Sequence, residues 1–402
     1  MRQLNLFSET ESRDKIIYDL FKAYFDARKN KRNTINALAF EKHLEANLFM
    51  LADEIIKWNY KPEPGICFIV DKPVKREIFA ADFRDRVIHH FIYNYISPVF
   101  EKVFINDSYS CRKGKGTHYG IRRLDHFIRS CSHNYTRDCY ILKLDTRGYF
   151  MAINKTLLFN KIKEELNKQK HKIDFDLLLV LYLIKKTIFN DPRRKCIIKG
   201  RENDWTGLPK TKSLFYTIDD CGLPIGNLTS QLFGNIYLND FDHWVKRDLE
   251  IQYYSRYVDD IILIHNSKSY LLTCIQKIKI YLDKNFNLTL HPDKIYLQHY
   301  GKGVKYLGTV IKPHRIYIAK RTKGNFYSAI KDLNGIVKDH KPVKLEKQIF
   351  LSRMNSYLGI LKHYRTYKLR KEMLKKNLSG WWWNQAYLSK AYSKFKLKQS
   401  YL

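Results

Sequence analysis

Neither a membrane-spanning run nor an export signal is written into this chain. The longest uninterrupted apolar stretch, Leu177–Ile184, is far shorter than the roughly 20 residues a bilayer helix needs. The N-terminal MRQLNLFSETESRDK has no apolar core of the kind that opens a secretory signal. Cysteine is sparse and unpatterned. The seven residues (Cys67, Cys111, Cys131, Cys139, Cys196, Cys221 and Cys274) are odd in number and lack paired spacing, which excludes a disulfide scaffold and leads us to expect a reducing, cytoplasmic setting. Cys131, His133 and Cys139 lie close in sequence, but no CxxC pair or second half-site joins them, so a structural zinc site is not expected. No internal repeat and no low-complexity tract is present. Negative charge is short as well: 40 Asp and Glu stand against 73 Lys and Arg, leaving +33 at pH 7. An excess of that size, spread along the whole chain, suits a polyanionic partner, and nucleic acid before an acidic membrane surface.

What is present is the material of a large core. With 402 residues, 45% of them hydrophobic and 14% aromatic, the chain is globular and long enough for two or three domains. Apolar spacing predicts two helices over 13–59, ended by the prolines and glycine of KPEPG at 61–65. Strands are expected over 66–83, then a helix from Arg84 to about Val103 and a Gly- and Lys-rich loop, NDSYSCRKGKGTH, that opens another helix. A strand over 139–150 precedes helical spacing through 154–190. The polar, basic 191–220 stretch has no clear period and reads as an insertion or mobile loop. A helix runs from GLPIGNLTSQ to about Leu249, and QYYSRYVDDIILIH at 252–265 has the composition of a strand–turn–strand hairpin. A helix over 268–286 and short strands near 303–311 and 315–319 follow, and a basic helical region extends from Lys320 through Lys376.

Within the centre, Asp145 stands inside an apolar strand, Ile141-Leu142-Lys143-Leu144-Asp145, where an ionised group is costly unless something compensates it. Asp259 and Asp260 sit side by side at the tip of an apolar hairpin and need a counter-charge for the same reason. A divalent cation satisfies all three. Mg²⁺ takes a few carboxylates together with water and substrate phosphates, and a pair of such ions serves phosphoryl and nucleotidyl transfer. An aromatic-x-Asp-Asp tetrapeptide alone is a weak signal. The upstream strand aspartate, with Phe150 five positions on, strengthens it.

At these residues the chain resembles the reverse transcriptases. YVDD at 257–260 is similar to their catalytic signature, and LKLDTRGYF to their first metal-binding strand. Further blocks follow in the family's order: KPVKREIFAADFRDRVIHH (72–90), SYSCRKGKGTHYGIRRL (108–124), GLPIGNLTSQLFGNIYLNDFDHWVK (222–246), LHPDKI (290–295), GVKYLGTVI (303–311) and NSYLGILKHYRTYKLR (355–370). The resemblance covers roughly residues 15 to 375. It implies a mixed α/β (α+β) right-hand polymerase: a helical extension over 1–60, fingers over 61–140 with part of the palm, a palm of antiparallel sheet plus helices over 141–312, and a helical thumb and tail over 313–402. Where group II intron and retroviral enzymes usually carry Gln-Gly, this chain has Ile225-Gly226, continued as Asn227-Leu228-Thr229-Ser230-Gln231. IGNLTSQ looks like the hallmark of reverse transcriptases from diversity-generating retroelements. The stretch after residue 376 has no room for a maturase extension or endonuclease, which suits a stand-alone enzyme.

The resemblance implies roles residue by residue. Asp145, Asp259 and Asp260 would bind two Mg²⁺, and Lys294 would act as general acid toward pyrophosphate. Lys72 (or Lys75) and Arg76 would meet the incoming triphosphate, Phe150 would be the steric gate against a 2′-hydroxyl, and Ile225 and Gly226 would flank the nucleotide. Ile225, Asn227, Ser230 and Gln231 would support the template and set fidelity, and Tyr306, Leu307 and Gly308 would hold the primer end. Arg112, Lys113 and Lys115 of the GKG loop are expected to contact nucleic-acid backbone; the loop lacks a P-loop's GK[ST] ending. The His89-His90 pair is expected to pack or to touch RNA backbone, and Trp381–Trp383 to dock the C-terminus rather than stack on bases. The partners implied are dNTPs, a template-repeat RNA with its cDNA, and a pentameric accessory variability protein. The alternatives are a retron-type or intron-derived reverse transcriptase, or a non-catalytic RNA-binding scaffold.

Overall fold

A run of three helices, α1 (Arg2–Arg28), α2 (Ile35–Glu41) and α3 (Leu44–Ile56), ends where Trp58 takes φ 57°, ahead of the prolines and glycine at 61–65 that keep the chain from resuming a helix. Three helices replace the two expected, α2 and α3 being separated by a break at Lys42–His43, where His43 leaves helical geometry. This computed structural model describes residues 2–29, 31, 34–71 and 74–398. By its contacts the chain divides into two compact units, Met1–Gly120 with Leu142–Leu297, and Ile121–Ile141 with Gln298–Leu402. The first of these breaks falls inside the stretch expected as fingers.

In the first unit, β1 (Ile66–Val70) and β2 (Arg76–Ala80) pair antiparallel from Ile66↔Ala80 to Val70↔Arg76. Helix α4 (Phe83–Val103) starts where the Asp82 carboxylate accepts from Arg84 N, and it buries Val87, Ile88, Phe91, Ile92 and Ile96 along one face. After α5 (Thr117–Cys131), which runs on into the second unit, comes β3 (Tyr140–Asp145). The strand expected to reach residue 150 stops at Asp145. Gly148 takes φ 58° and starts a helical turn, α6 (Tyr149–Ala152), so Phe150 stands on a helix. A Cβ at Gly148 would meet Thr211 O at 2.6 Å, which is why glycine is needed there. The helical region that follows is two helices, α7 (Lys155–Lys168) and α8 (Leu177–Ile188), capped by Asn154 and Asp176.

The 191–220 stretch is no free loop. Its strand β4 (Ile197–Ile198) lies parallel to β1, and four short 3₁₀ turns complete it. Buried Glu77 of β2 anchors it, accepting from Trp205 Nε1 at 2.7 Å, Ser213 Oγ at 2.7 Å and Leu214 N at 2.6 Å. These bonds compensate a carboxylate that burial would otherwise penalise. Next come α9 (Leu228–Tyr237), α10 (Asn239–Arg247), the hairpin β5 (Tyr253–Tyr257) and β6 (Asp260–His265), α11 (Lys268–Phe286) and β7 (Tyr296–His299). The central sheet runs β5-β6-β3-β7, with β5 and β6 antiparallel.

The second unit holds a three-stranded antiparallel sheet of β8 (Val304–Tyr306), β9 (Thr309–Lys312) and β10 (Arg315–Ile318). Helices α12 (Lys320–Asp339), α13 (Lys344–Leu361), α14 (Tyr367–Asn377) and α15 (Gly380–Gln385) follow, then a hairpin of β11 (Ala386–Leu388) and β12 (Phe395–Leu397). Its core gathers Phe326, Leu333, Phe350, Met354, Leu358 and Trp382. Trp382 stacks on Phe350 at 4.1 Å and 4°, and its Nε1 donates to Leu333 O at 3.1 Å. The middle tryptophan of the triplet thus docks the C-terminal segment. Among the described residues no helix is long and apolar enough to cross a membrane.

His89 lies inside α4's packed face, and its Nδ1 has no hydrogen-bond partner among the described residues. Burial, with the charges of His90 and Arg86, pushes its pKa down to about 3 from 6.5. The folded state therefore binds fewer protons than the unfolded state between those values, and stability is lost as pH falls through that window. Denaturant titrations from pH 6 to pH 4 should show the wild type losing about 1.4 kcal/mol per pH unit more than His89→Leu. Parallel pH dependence in the two proteins would contradict it.

Candidate active site

The hairpin β5–β6 closes through the pair Tyr257↔Asp260, which leaves Val258 and Asp259 as a two-residue turn. Val258 has φ 58°, a left-handed conformation that a β-branched residue holds only where its surroundings impose it. The constraint comes from Arg256, whose Nη1 donates to Val258 O at 3.0 Å. Its Nε and Nη2 donate to the two Asp242 carboxylate oxygens at 2.7 and 2.6 Å, and Tyr254 OH donates to Asp242 Oδ1 at 2.5 Å. Both charged side chains are fully buried. Burial opposes the guanidinium charge, but Asp242 beside it holds the arginine above its ordinary pKa. The Arg256 backbone then binds the loop before α5: its N donates to Asp107 O at 2.9 Å and its O accepts from Tyr109 N at 3.1 Å. Asn235 of α9 donates to Ser110 O at 2.7 Å. One buried pair thus ties α9, α10, β5 and the Asp107–Ser110 loop to the turn that carries Asp259.

The third carboxylate arrives on the neighbouring strand. Asp145 ends β3, and its Oδ1 accepts from Lys294 Nζ at 2.9 Å. Lys294 is brought there because His291 N donates to Asp145 O at 2.8 Å and Arg147 N to Thr289 O at 2.9 Å, which lays the LHPDKI segment along the strand end. Asp260 Oδ1 pairs with Lys143 Nζ at 2.9 Å. Lys143 precedes Asp145 by two residues and so shares its face of β3. Asp259 is crowded by both: burial, then Asp145, then Asp260 push its pKa up to about 6, with Lys294 pulling the other way. The three aspartates therefore share one field. A hard oxygen donor set that destabilises its own ionised form suits a hard divalent cation, so the residues fit such an ion by charge and donor chemistry. Among the described residues no three His, Cys, Asp or Glu side chains are drawn close enough to hold an ion as they stand. Lys143 and Lys294 occupy one oxygen each of Asp260 and Asp145.

Beside this centre, Phe150 and Ile225 pack on one small apolar cluster of Cys67, Phe79, Met151 and Leu214. Backbone bonds fix both: Leu223 N donates to Phe150 O at 2.8 Å and Phe79 N to Ile225 O at 2.8 Å. Gly226 has φ 128°, and a Cβ there would stand 2.8 Å from Ile78 Cγ2 and 3.0 Å from Phe79 O. Only glycine lets this segment lie against β2. Asn227, expected to support template, is buried and accepts from Ala81 N at 3.1 Å, so its side chain serves the scaffold. Ser230 is buried, and Gln231 is exposed.

The cationic residues divide. Arg76 and Lys113 are exposed, whereas Lys75 donates to Thr206 O at 2.8 Å; Lys72 lies outside the described residues. Arg112 does not reach solvent as expected. Its side chain is 4% exposed and chelates Glu101 while donating to Ile105 O at 2.7 Å and Ser108 O at 2.8 Å. The loop needed an internal clamp, and Arg112 is that clamp. Lys115 likewise donates to the Asn106 side chain at 3.1 Å. Tyr306, Leu307 and Gly308 lie in the second unit. There Tyr306↔Thr309 encloses a turn in which Leu307 and Gly308 both have positive φ, 44° and 82°. Sequence reasoning missed Lys143, Asp242 and Arg256. The signal was available for two of them, since Lys143 alternates with Asp145 and Arg256 is a charge inside an apolar strand.

Residues 71–311 match the family model described as Reverse transcriptase (RNA-dependent DNA polymerase), more than half of the chain. The chain belongs to the reverse transcriptase family. A relative among characterised proteins is Protein YkfC of Escherichia coli (strain K12), 23% identical over 323 residues, covering 72% of this chain and 76% of that protein. Among solved structures, the apo telomerase of Candida tropicalis truncated from its C-terminal domain is similar at a TM-score of 0.46 and 13% identity, covering 64% of this chain and 56% of that one. Telomerase of Candida albicans with a TWJ fragment of telomeric RNA is similar at 0.46 and 12%, covering 80% and 56%. The chain thus spans a little over half of the telomerase chains it matches. The fold of the reverse transcriptase domain is the mixed right-hand polymerase fold expected, with antiparallel sheets.

Asp242→Ala strands a buried guanidinium beneath the Val258–Asp259 turn and should destabilise the protein by about 3–5 kcal/mol in urea denaturation, whereas Asp242→Leu combined with Arg256→Met should recover most of that loss. A single variant losing less than about 1 kcal/mol would show that the pair does not hold the turn.

Proposed function

We propose that this chain is the RNA-directed DNA polymerase of a diversity-generating retroelement. It copies a template-repeat RNA with errors concentrated at template adenines, and the cDNA rewrites a variable gene. The observation that carries this reading is Ile225: an alkyl side chain at the edge of the cluster that holds Phe150, in a segment whose backbone is bonded to β2. A glutamine at that place can hydrogen-bond near a nucleotide and penalise a misaligned pair. An isoleucine cannot, so wrong pairs are rejected less strongly.

Asp145, Asp259 and Asp260 would hold two Mg²⁺, which when bound supply activation of the primer 3′-hydroxyl and stabilisation of the leaving pyrophosphate. The chain's own residues do the rest. Lys294 keeps a proton at Nζ beside Asp145, placed to pass it to pyrophosphate. Phe150 fills the volume a 2′-hydroxyl needs and so selects deoxynucleotides. Arg76, with Lys72, meets the triphosphate, and the turn at Tyr306–Gly308 holds the primer end. The fingers, palm and thumb correspond to 61–140, 141–312 and 313–402. Template RNA, its cDNA and a pentameric accessory variability protein are the partners, and the cytoplasm is the compartment.

On an RNA template with a DNA primer, extension should require Mg²⁺ and vanish in the Asp259→Ala/Asp260→Ala double variant; equal synthesis by that variant would remove the two-metal reading, and no synthesis by the wild type would favour a scaffold. Sequencing of cDNA should show fewer errors opposite adenine for Ile225→Gln and an unchanged spectrum for Ile225→Val, which preserves packing. If both variants match the wild type, Ile225 only packs.

A further inference from the structure

The C-terminal hairpin of the second unit has a feature that polymerisation leaves unused. Between β11 and β12 a cavity of about 450 Å³ opens, lined in part by Trp383, Tyr387, Tyr392 and Lys398. That volume lies within the range of roughly 300–1,000 Å³ typical of ligand sites. Tyr387 is 47% exposed although it is a large aromatic at the rim of a concavity. The loop that forms one wall is strained, since Ala391 and Tyr392 are consecutive non-glycine residues with φ 60° and 53°. It is held in that shape by Ser389 N donating to Lys394 O at 2.8 Å and by Arg370 Nη1 donating to Tyr392 O at 2.7 Å.

Charge marks what the cavity suits. Lys396 stands in β12 opposite Tyr387 of β11, and Lys394 and Lys398 flank that strand at its two ends; all three are exposed. Beneath the loop, Arg370 is 5% exposed, its Nε has no hydrogen-bond partner, and no carboxylate among the described residues pairs with it. A buried guanidinium without a counter-ion is costly, and an anion brought to the loop above it offsets part of that cost. Aromatic walls beside a row of amines and an uncompensated positive charge form the combination that takes one base and its phosphate from a single strand.

We propose that this pocket binds an unpaired nucleobase of single-stranded RNA, stacked on Tyr387 and Trp383, with the adjoining phosphate at Lys398. The partner as RNA rests on the reading of this chain as an RNA-copying enzyme; the chemistry of the pocket itself would accept single-stranded DNA. In this proposal the site tethers an RNA strand without reading its sequence, since every base offers a stacking face.

The test uses the full chain saturated with an RNA–DNA template–primer duplex, to which a fluorescent six-nucleotide RNA is titrated by anisotropy. Tyr387→Ala and Lys398→Glu should each weaken binding about tenfold, Tyr387→Phe should bind as the wild type does, and an abasic hexamer should bind as weakly to the wild type as the intact one does to Tyr387→Ala. A DNA hexamer tells RNA from any single strand: tighter RNA binding supports RNA as the occupant, and preference for DNA overturns it. Equal affinity of Tyr387→Ala and wild type, or no loss with the abasic strand, also overturns the proposal. Extension of the same duplex by the wild type reports separately on the polymerase reading.

Discussion

A single buried ion pair carries the geometry of this protein's candidate active site. Arg256 and Asp242 are both withdrawn from water, and each is bonded to the limit of what the pocket offers: two carboxylate oxygens, a tyrosine hydroxyl and two backbone carbonyls. Taking two charges out of water is expensive, and replacing such a pair with apolar residues is often neutral for stability. Its use here is geometric. A guanidinium with its donors in a fixed fork can pull the Val258 carbonyl down and hold a valine in a left-handed conformation. That turn puts Asp259 and Asp260 beside the end of β3. The pair makes the arrangement of carboxylates possible and leaves their charge to be balanced by other groups.

That balance is the second constraint. Burial and the other two carboxylates raise the pKa of Asp259 to about 6, and two lysines answer those other two. Lys143 and Lys294 let the protein fold with the carboxylates in place, since clustered anions without cations would push the two strands apart. Divalent ions would relieve the same repulsion with more charge. The chain's wider excess of positive charge then serves the polyanion that the reverse transcriptase family copies.

Much of this was legible in the sequence. The boundaries of α11 and the two strands around YVDD follow directly from apolar period and composition, and Asp145, Asp259 and Asp260 were recognisable as charges in apolar strands. What escaped reading depends on long-range partners. Residues 191–220 look like loose polar chain because their order comes from Glu77, more than a hundred residues away, and from pairing with β1. Arg112 looked like a phosphate ligand because a loop arginine beside lysines usually is one; only the folded loop reveals Glu101 and two carbonyls waiting for it. The end of β3 was misplaced because residues 146–150 keep strand composition, while Gly148 turns the chain for tertiary reasons.

Asp145 is the one carboxylate of the three that comes from a different strand, so its replacement tests the proposed metal site most directly. Single-nucleotide incorporation on an RNA template should be followed against Mg²⁺ concentration for the wild type and for Asp145→Asn, with folding of both checked by circular dichroism. A saturating Mg²⁺ dependence in the wild type, reduced in a folded Asp145→Asn to the level seen without added metal, is the predicted result. Incorporation by Asp145→Asn with the wild-type dependence on Mg²⁺ would contradict it.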